Sequence, residues 1–209
     1  YLRKASRPGG GSTHDGLLAA LSEAEFGGRR LSEDELVSMI FLLFGAGQET
    51  TTHLLAGGLL ELLVHGSQRA LLSANMSLMP LCVEECLRHV SPVQLTKPRW
   101  ASRDLVCVGQ PFRRGESVAA FLCAANRDPI RFEQPDVFDI NRRPNPHLSF
   151  GTGVHFCLGF QLARAETAIA LERLLVRFPA IRLSKPVSSL AWRRRLGIRA
   201  LTALPVRLC

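Results

Sequence analysis

Lysine is scarce in this sequence. Lys4, Lys97 and Lys185 are three among 26 basic residues, so arginine carries nearly all of a formal net charge of +8. Aromatic residues are also few, at 7%. The arginines are scattered, as at Arg113, Arg114, Arg142, Arg143 and Arg193 to Arg195. No stripe interleaves them with aromatics, which argues against a nucleic-acid interface; such a surface suits an acidic protein partner. Long hydrophobic runs are missing too. Leu36 to Phe44 is too short to span a bilayer. Gln48, Glu49 and Thr50 to His53 follow it, and a carboxylate at the centre of a membrane helix costs about 2.5–3.5 kcal/mol. The opening "YLRKASRPGGG" lacks the apolar core of a signal peptide. None of the six cysteines, Cys82, Cys86, Cys107, Cys123, Cys157 and Cys209, forms a C-x2-C pair. That spacing argues against a zinc site built from Cys82, Cys86, His155 and Cys157. The count is low for a disulfide framework. The expectation is a cytoplasmic chain with thiols in a reducing compartment and no membrane span.

What is present is an apolar content of 46%, enough for a sizeable core. Periodicity predicts a first helix over roughly 15–25. Ser32 with Glu35 forms a capping box that starts a second helix. That helix runs to about Val64, a spine about 48 Å long. Further helices are expected over about 67–74 and over 79–90, the latter ended by Ser91-Pro92. Residues 93–125 read as strands and hairpins. Residues 126–150 read as a long loop, which in a compact domain is functional or tightly anchored. A last helix covers about Leu158 to Arg177, with Leu162, Ala165, Ile169, Leu171, Leu174 and Leu175 apolar. The closing segment reads as strands. The fold class is mainly α with small β-sheets, an α+β chain read as one domain over 1–209.

The stretch "LSFGTGVHFCLGF", residues 148–160, concentrates backbone freedom around one cysteine. Gly151 and Gly153 permit turns closed to other residues and let main chain approach a bulky partner. Gly159 is expected to allow close packing at the helix start. Cys157 is expected to sit at that start, where free N–H groups and the helix dipole favour a thiolate. From these residues a nucleophile and a soft metal ligand, haem iron included, both fit. A buried cysteine in a glycine turn fits as well.

"FGTGVHFCLG" resembles the haem-binding signature of the cytochrome P-450 family, F-G-x-G-x-H/R-x-C-x-G, matching at Phe150, Gly151, Gly153, His155, Cys157 and Gly159. The resemblance implies that Cys157 is the axial ligand of the iron of haem b (iron protoporphyrin IX). It implies that His155 meets a propionate and that Phe150 shields the sulfur. "AGQETT", Ala46 to Thr51, resembles the family's oxygen-side motif. Glu49 and Thr50 would relay protons there, beside a helix bulged at Gly47. "EECLR" resembles the family's E-x-x-R, with Glu85 and Arg88 in a buried structural network. Spacing from Cys157 makes Arg142 the second arginine of that network, with Arg143 the adjacent alternative. Arg99 matches a propionate partner. Ala46, Val93, Gln94 and Leu95 match the substrate-pocket wall. "AANRDP", Ala124 to Pro129, is typical of soluble bacterial members.

The resemblance spans the whole chain but only the C-terminal half of a family member. It implies a monooxygenase acting on a small organic substrate, with electrons from NAD(P)H through a reductase and a ferredoxin-like donor. A truncated, non-catalytic haem-binding or interaction module is the alternative. A cysteine hydrolase is poorly supported, because His155 lies too close in a constrained loop and no orienting acid is evident. The helix from Leu36 to Phe44 is apolar almost all round, so the remaining half or another chain is expected to cover the distal face.

Overall fold

The computed structural model describes residues 16–208. The chain divides into two compact units, one running to Glu49 and the other from Thr50. In the first, helix α1 (Leu17–Glu23) leads into a two-residue antiparallel ribbon, β1 (Glu25–Phe26) with β2 (Arg29–Arg30). Helix α2 (Glu33–Val64) then begins at a reciprocal cap and extends into the second unit. The Glu35 N–H donates to Ser32 Oγ at 3.3 Å, and the Ser32 N–H to Glu35 Oε2 at 2.9 Å. Leu36 is buried, whereas Phe41, Leu42 and Phe44 are exposed. The bulge expected at Gly47 is not there: α2 is one unbroken α-helix of 32 residues. Glycine lowers helix propensity by about 1 kcal/mol, but it keeps its N–H, so the hydrogen-bond ladder survives.

The second unit is built around α4 (Met79–Val90), reached through α3 (Gly66–Ala74). Residues 79, 82, 83, 86, 87 and 90 recur at helical spacing and are all buried. All but Val90 join one core cluster with Leu54 and Leu62 of α2, Phe138, Ile140 and, from α6 (Phe160–Arg177), Leu171 and Leu175. Gly57 and Gly58 let α2 and α4 approach closely. A Cβ on Gly57 would meet Val90 Cγ1 at 2.4 Å, and one on Gly58 would meet Cys86 Sγ at 3.1 Å.

Between α4 and α6 lie antiparallel ribbons and a long irregular segment. β3 (Arg99–Trp100) pairs with β6 (Ser117–Val118), and β4 (Leu105–Cys107) with β5 (Gln110–Phe112). The strand reading of 93–125 fails at its end, where α5 (Leu122–Ala125) is a short helix. After α6, β7 (Arg182–Leu183) pairs with β8 (Val206–Arg207). The rest of the closing segment contributes isolated bridges, Val93 to Ile198 and Trp192 to Leu201. Helix α6 begins two residues later than its periodicity implies. Its Leu162 and Ile169 face outward, 63% and 59% exposed. Among the described residues the cysteines are free thiols: Cys82 and Cys86 are buried in the core, Cys107 is exposed, and Cys123 and Cys157 are half-buried. Cys209 lies outside the described residues. No single helix among them is long and apolar enough to cross a membrane.

Candidate functional site

Glu85 and Arg88 lie three apart on α4, and both are fully buried. The guanidinium grips the carboxylate twice, Nε to Oε2 at 2.8 Å and Nη2 to Oε1 at 2.7 Å. Its other N–H groups reach three main-chain oxygens: Asn126 at 2.9 Å, Pro135 at 2.7 Å and Val137 at 3.0 Å. All five N–H donors of the fork are thereby satisfied without water. Of the two neighbouring arginines, it is Arg142 that reaches Glu85, at 3.3 Å through Nε. Its remaining nitrogens donate to the carbonyls of Glu133, Gln134 and Val137. Glu85 also accepts from the Asp139 N–H and from Asn145 Nδ2. One carboxylate thus ties α4 to the segment that precedes the cysteine loop.

Cys157 is half-buried and lies two residues before Gly159, the cap residue of α6. It therefore precedes the first turn of that helix instead of lying within it. Its N–H donates to the Phe150 carbonyl at 3.0 Å, closing a loop whose first turn is the Gly151 N–H to Leu148 carbonyl bond at 2.8 Å. Gly151 and Gly153 have φ of 71° and 75°, left-handed conformations that strain a residue bearing Cβ. Gly159 has φ of −86° and open space around it, so it does not serve close packing within this chain. His155 is exposed at the end of a 3-10 turn.

A second tether, which sequence reasoning missed, runs from Glu84. Arg164 of α6 donates to it through Nε at 2.5 Å and Nη2 at 2.8 Å, and His147 Nε2 lies 3.0 Å from its Oε2. The guanidinium also lies over the Phe150 ring, 4.7 Å from its centroid, and over Phe160 at 5.4 Å. Burial alone would raise the Glu84 pKa, but the hydrogen bonds from Arg164 and His147 outweigh it and hold the carboxyl at about 2. The folded value is depressed below the ordinary one, so this stabilisation is present above about pH 5 and is lost as pH falls toward 2. The difference in unfolding free energy between the native chain and Glu84→Gln is expected to shrink from pH 7 to pH 3. Urea denaturation at both pH values measures it, and a difference independent of pH refutes the assignment.

Ala46 is exposed and Glu49 half-buried at the end of the first unit; Thr50, half-buried, opens the second. Val93, Gln94 and Leu95 are half-buried beside α5 and the closing segment. Leu95 bridges Phe121, and the Gln94 N–H donates to the Gly197 carbonyl at 2.8 Å. Arg99 is exposed on β3.

The cysteine loop fits a haem. A Cβ built on Gly151, Gly153 or Gly159 would meet nothing within 4 Å, so the loop carries open room beside a half-buried thiol. Val154, Phe156 and Leu158 present apolar side chains to the outside, 99%, 44% and 79% exposed. A flat apolar group would cover such surface.

The family model for cytochrome P450 matches residues 68–192. Polyketide biosynthesis cytochrome P450 PksS of Bacillus subtilis (strain 168) is 45% identical over 194 residues, 93% of this chain and 48% of that protein. Biotin biosynthesis cytochrome P450 of the same organism is 49% identical over 179 residues, 85% of this chain and 44% of that one. The solved structure of PksS superposes with a TM-score of 0.90 at 45% identity, covering 93% of this chain and 50% of its own. P450BioI, solved in complex with hexadec-9Z-enoic acid ligated acyl carrier protein, gives 0.85 at 45% identity, with 92% and 48% covered. The chain spans about half the length of the curated relatives it matches. With this fold and these matches, the chain belongs to the cytochrome P450 family.

Proposed function

We propose that this chain forms the haem-binding half of a haem-thiolate monooxygenase, which inserts one oxygen atom of dioxygen into a small organic substrate. The observation that carries the reading is the Cys157 loop, closed on the Phe150 carbonyl and fastened to α4 from both sides. Cys157 would hold the iron of haem b, with His155 and Arg99 on its propionates and Phe150 shielding the sulfur. The haem supplies the oxidising chemistry, activating dioxygen with electrons delivered from NAD(P)H by a reductase and a ferredoxin-like donor. Thr50 and Glu49 would hold and pass protons to that chemistry. Ala46 and Val93 to Leu95 form part of the substrate wall. Glu85, Arg88 and Arg142 keep the loop in register. A net charge of +8 favours an acidic electron donor. The relatives are named for polyketide and biotin biosynthesis, and one was captured with a fatty acyl chain on a carrier protein; acyl substrates head the class to be tried here. We place the protein in the cytoplasm.

A second reading, a haem-binding or interaction module without turnover, draws on the exposed Phe41 and Phe44 and on the half-length match. In the first reading the remaining half of the protein, or another chain, covers that surface. Titration with haem, followed by reduction under carbon monoxide, tests the ligand. The red-shifted Soret band of thiolate ligation is expected, and Cys157→Ala is expected to abolish it. A native spectrum of nitrogen-ligated haem sinks the proposal. NADPH-dependent oxidation of an acyl substrate in the presence of reductase and ferredoxin separates the two readings.

A further inference from the structure

Asn126 has no part in the chemistry proposed above, yet it is fully buried at the point where three segments meet. It caps the C-terminal end of α5. Its amide donates twice through Nδ2, to Ser91 Oγ at 2.9 Å and to Ser149 Oγ at 2.9 Å. Its Oδ1 accepts the Leu148 N–H at 2.7 Å. Its main-chain carbonyl accepts from Arg88.

The two serines fix which way this amide points. Ser91 Oγ already donates its proton to the Arg88 carbonyl at 2.8 Å, and Ser149 Oγ donates to the Leu87 carbonyl at 2.7 Å. Each hydroxyl has one proton, so both must accept from position 126, and only an NH2 group satisfies both. The remaining oxygen then faces Leu148. Ser91 itself has φ of 44°, a left-handed conformation at the end of α4 that costs a non-glycine residue and needs such support.

From Leu148 the connection to the cysteine is continuous. The Leu148 carbonyl takes the Gly151 N–H, and the Phe150 carbonyl takes the Cys157 N–H. The base of the cysteine loop is therefore set by a side chain that lies outside it in sequence. We propose that Asn126 is the positioning residue of the Cys157 loop: its amide locks the C-terminal end of α4 to Leu148 and Ser149, and through them fixes where the sulfur stands. This rests on the reading of Cys157 as the haem ligand for its spectroscopic consequence, but not for its structural one.

Asn126→Asp keeps the acceptor for Leu148 but removes both donors, so each serine either faces an acceptor or turns its one proton away from the Arg88 or Leu87 carbonyl. Ser149→Ala, a milder change, deletes one of the two serine links. Both are compared with the native protein in the full natural chain. Hydrogen exchange of the Leu148, Gly151 and Cys157 amides is expected to accelerate about tenfold or more in Asn126→Asp and less in Ser149→Ala, since a buried hydrogen-bonding group is left unsatisfied. Amides of Leu171 and Leu175 in α6 are expected to change much less. The reduced carbon monoxide complex is expected to lose part of its thiolate band to a non-thiolate one in Asn126→Asp. Exchange within twofold of native at those loop amides, or acceleration equal to that in α6, overturns the proposal; if Asn126→Asp does not fold, Ser149→Ala decides on the same criteria. If the native chain gives no thiolate band, the haem reading falls, and the exchange rates alone decide the role of Asn126.

Discussion

Arg88→Ala is expected to destabilise the protein by about 3–5 kcal/mol, because it strips a buried carboxylate of its bidentate partner and leaves it only the longer Arg142 contact as counter-charge. Glu85 would keep the Asp139 N–H, Arg142 and Asn145, but not its paired fork. Measured against the 5–15 kcal/mol typical of folded domains, the loss is a large part of the whole. The geometry makes a sharper claim. An isolated buried ion pair is often replaced by two apolar residues at little cost, since both desolvation penalties vanish together. Here that relief is not expected. The guanidinium also serves the carbonyls of Asn126 and Pro135, which have no other donor among the described residues, and shares Val137 with Arg142. The Glu85→Met/Arg88→Met double variant is therefore still expected to cost, relative to the native protein, more than about 1 kcal/mol for each stranded carbonyl. Arg88→Lys should fall between, as a point charge cannot hold two oxygens of a carboxylate and three divergent carbonyls at once. Urea denaturation of these three variants checks this; a near-neutral Glu85→Met/Arg88→Met pair refutes it. On the reading proposed for Cys157, haem uptake falls in the same order.

Gly57→Ala is expected to destabilise by about 1–3 kcal/mol, although alanine is the better helix former by about 1 kcal/mol. The new Cβ would stand 2.4 Å from Val90 Cγ1, far inside contact distance. Val90 is 3% exposed and β-branched, so its side chain has little room to turn away. The helices must separate, or α4 must shift along with Glu85 and Arg88. Val90→Ala in the Gly57→Ala background should recover part of the loss, because it removes the atoms that clash. A double-mutant cycle on thermal unfolding shows this as a favourable coupling. Strictly additive costs would mean that the two helices do not meet at this point.

The parts of this molecule that could be read from sequence are those written in local spacing. The Ser32–Glu35 cap marked the start of α2, and the apolar periodicity of 79–90 gave α4 its bounds. The glycine pair around the cysteine has the left-handed backbone that its composition implies. Glu84 was legible only as the residue beside Glu85. Its partner Arg164 lies 80 residues away on another helix, and no local pattern announces that pair. Asn126 was hidden for the same reason: Ser91, Leu148 and Ser149 come together only once α4 and the long loop have packed. Leu162 and Ile169 misled in the opposite sense, since periodicity identifies an apolar face but not whether this chain supplies anything to cover it. Gly47 misled because glycine weakens a helix without removing a donor from it.

Apart from the Phe132 ring, which lies 5.3 Å from its guanidinium, Arg88 fastens the long loop through main chain. Every loop oxygen it holds is a peptide oxygen, at positions 126, 135 and 137, and each of the twenty amino acids carries one. The clamp is thus indifferent to the identity of Pro135 and Val137 so long as the path of the chain is kept. Their outer faces are left open to drift, and a surface altered there would leave the grip on the cysteine's support untouched.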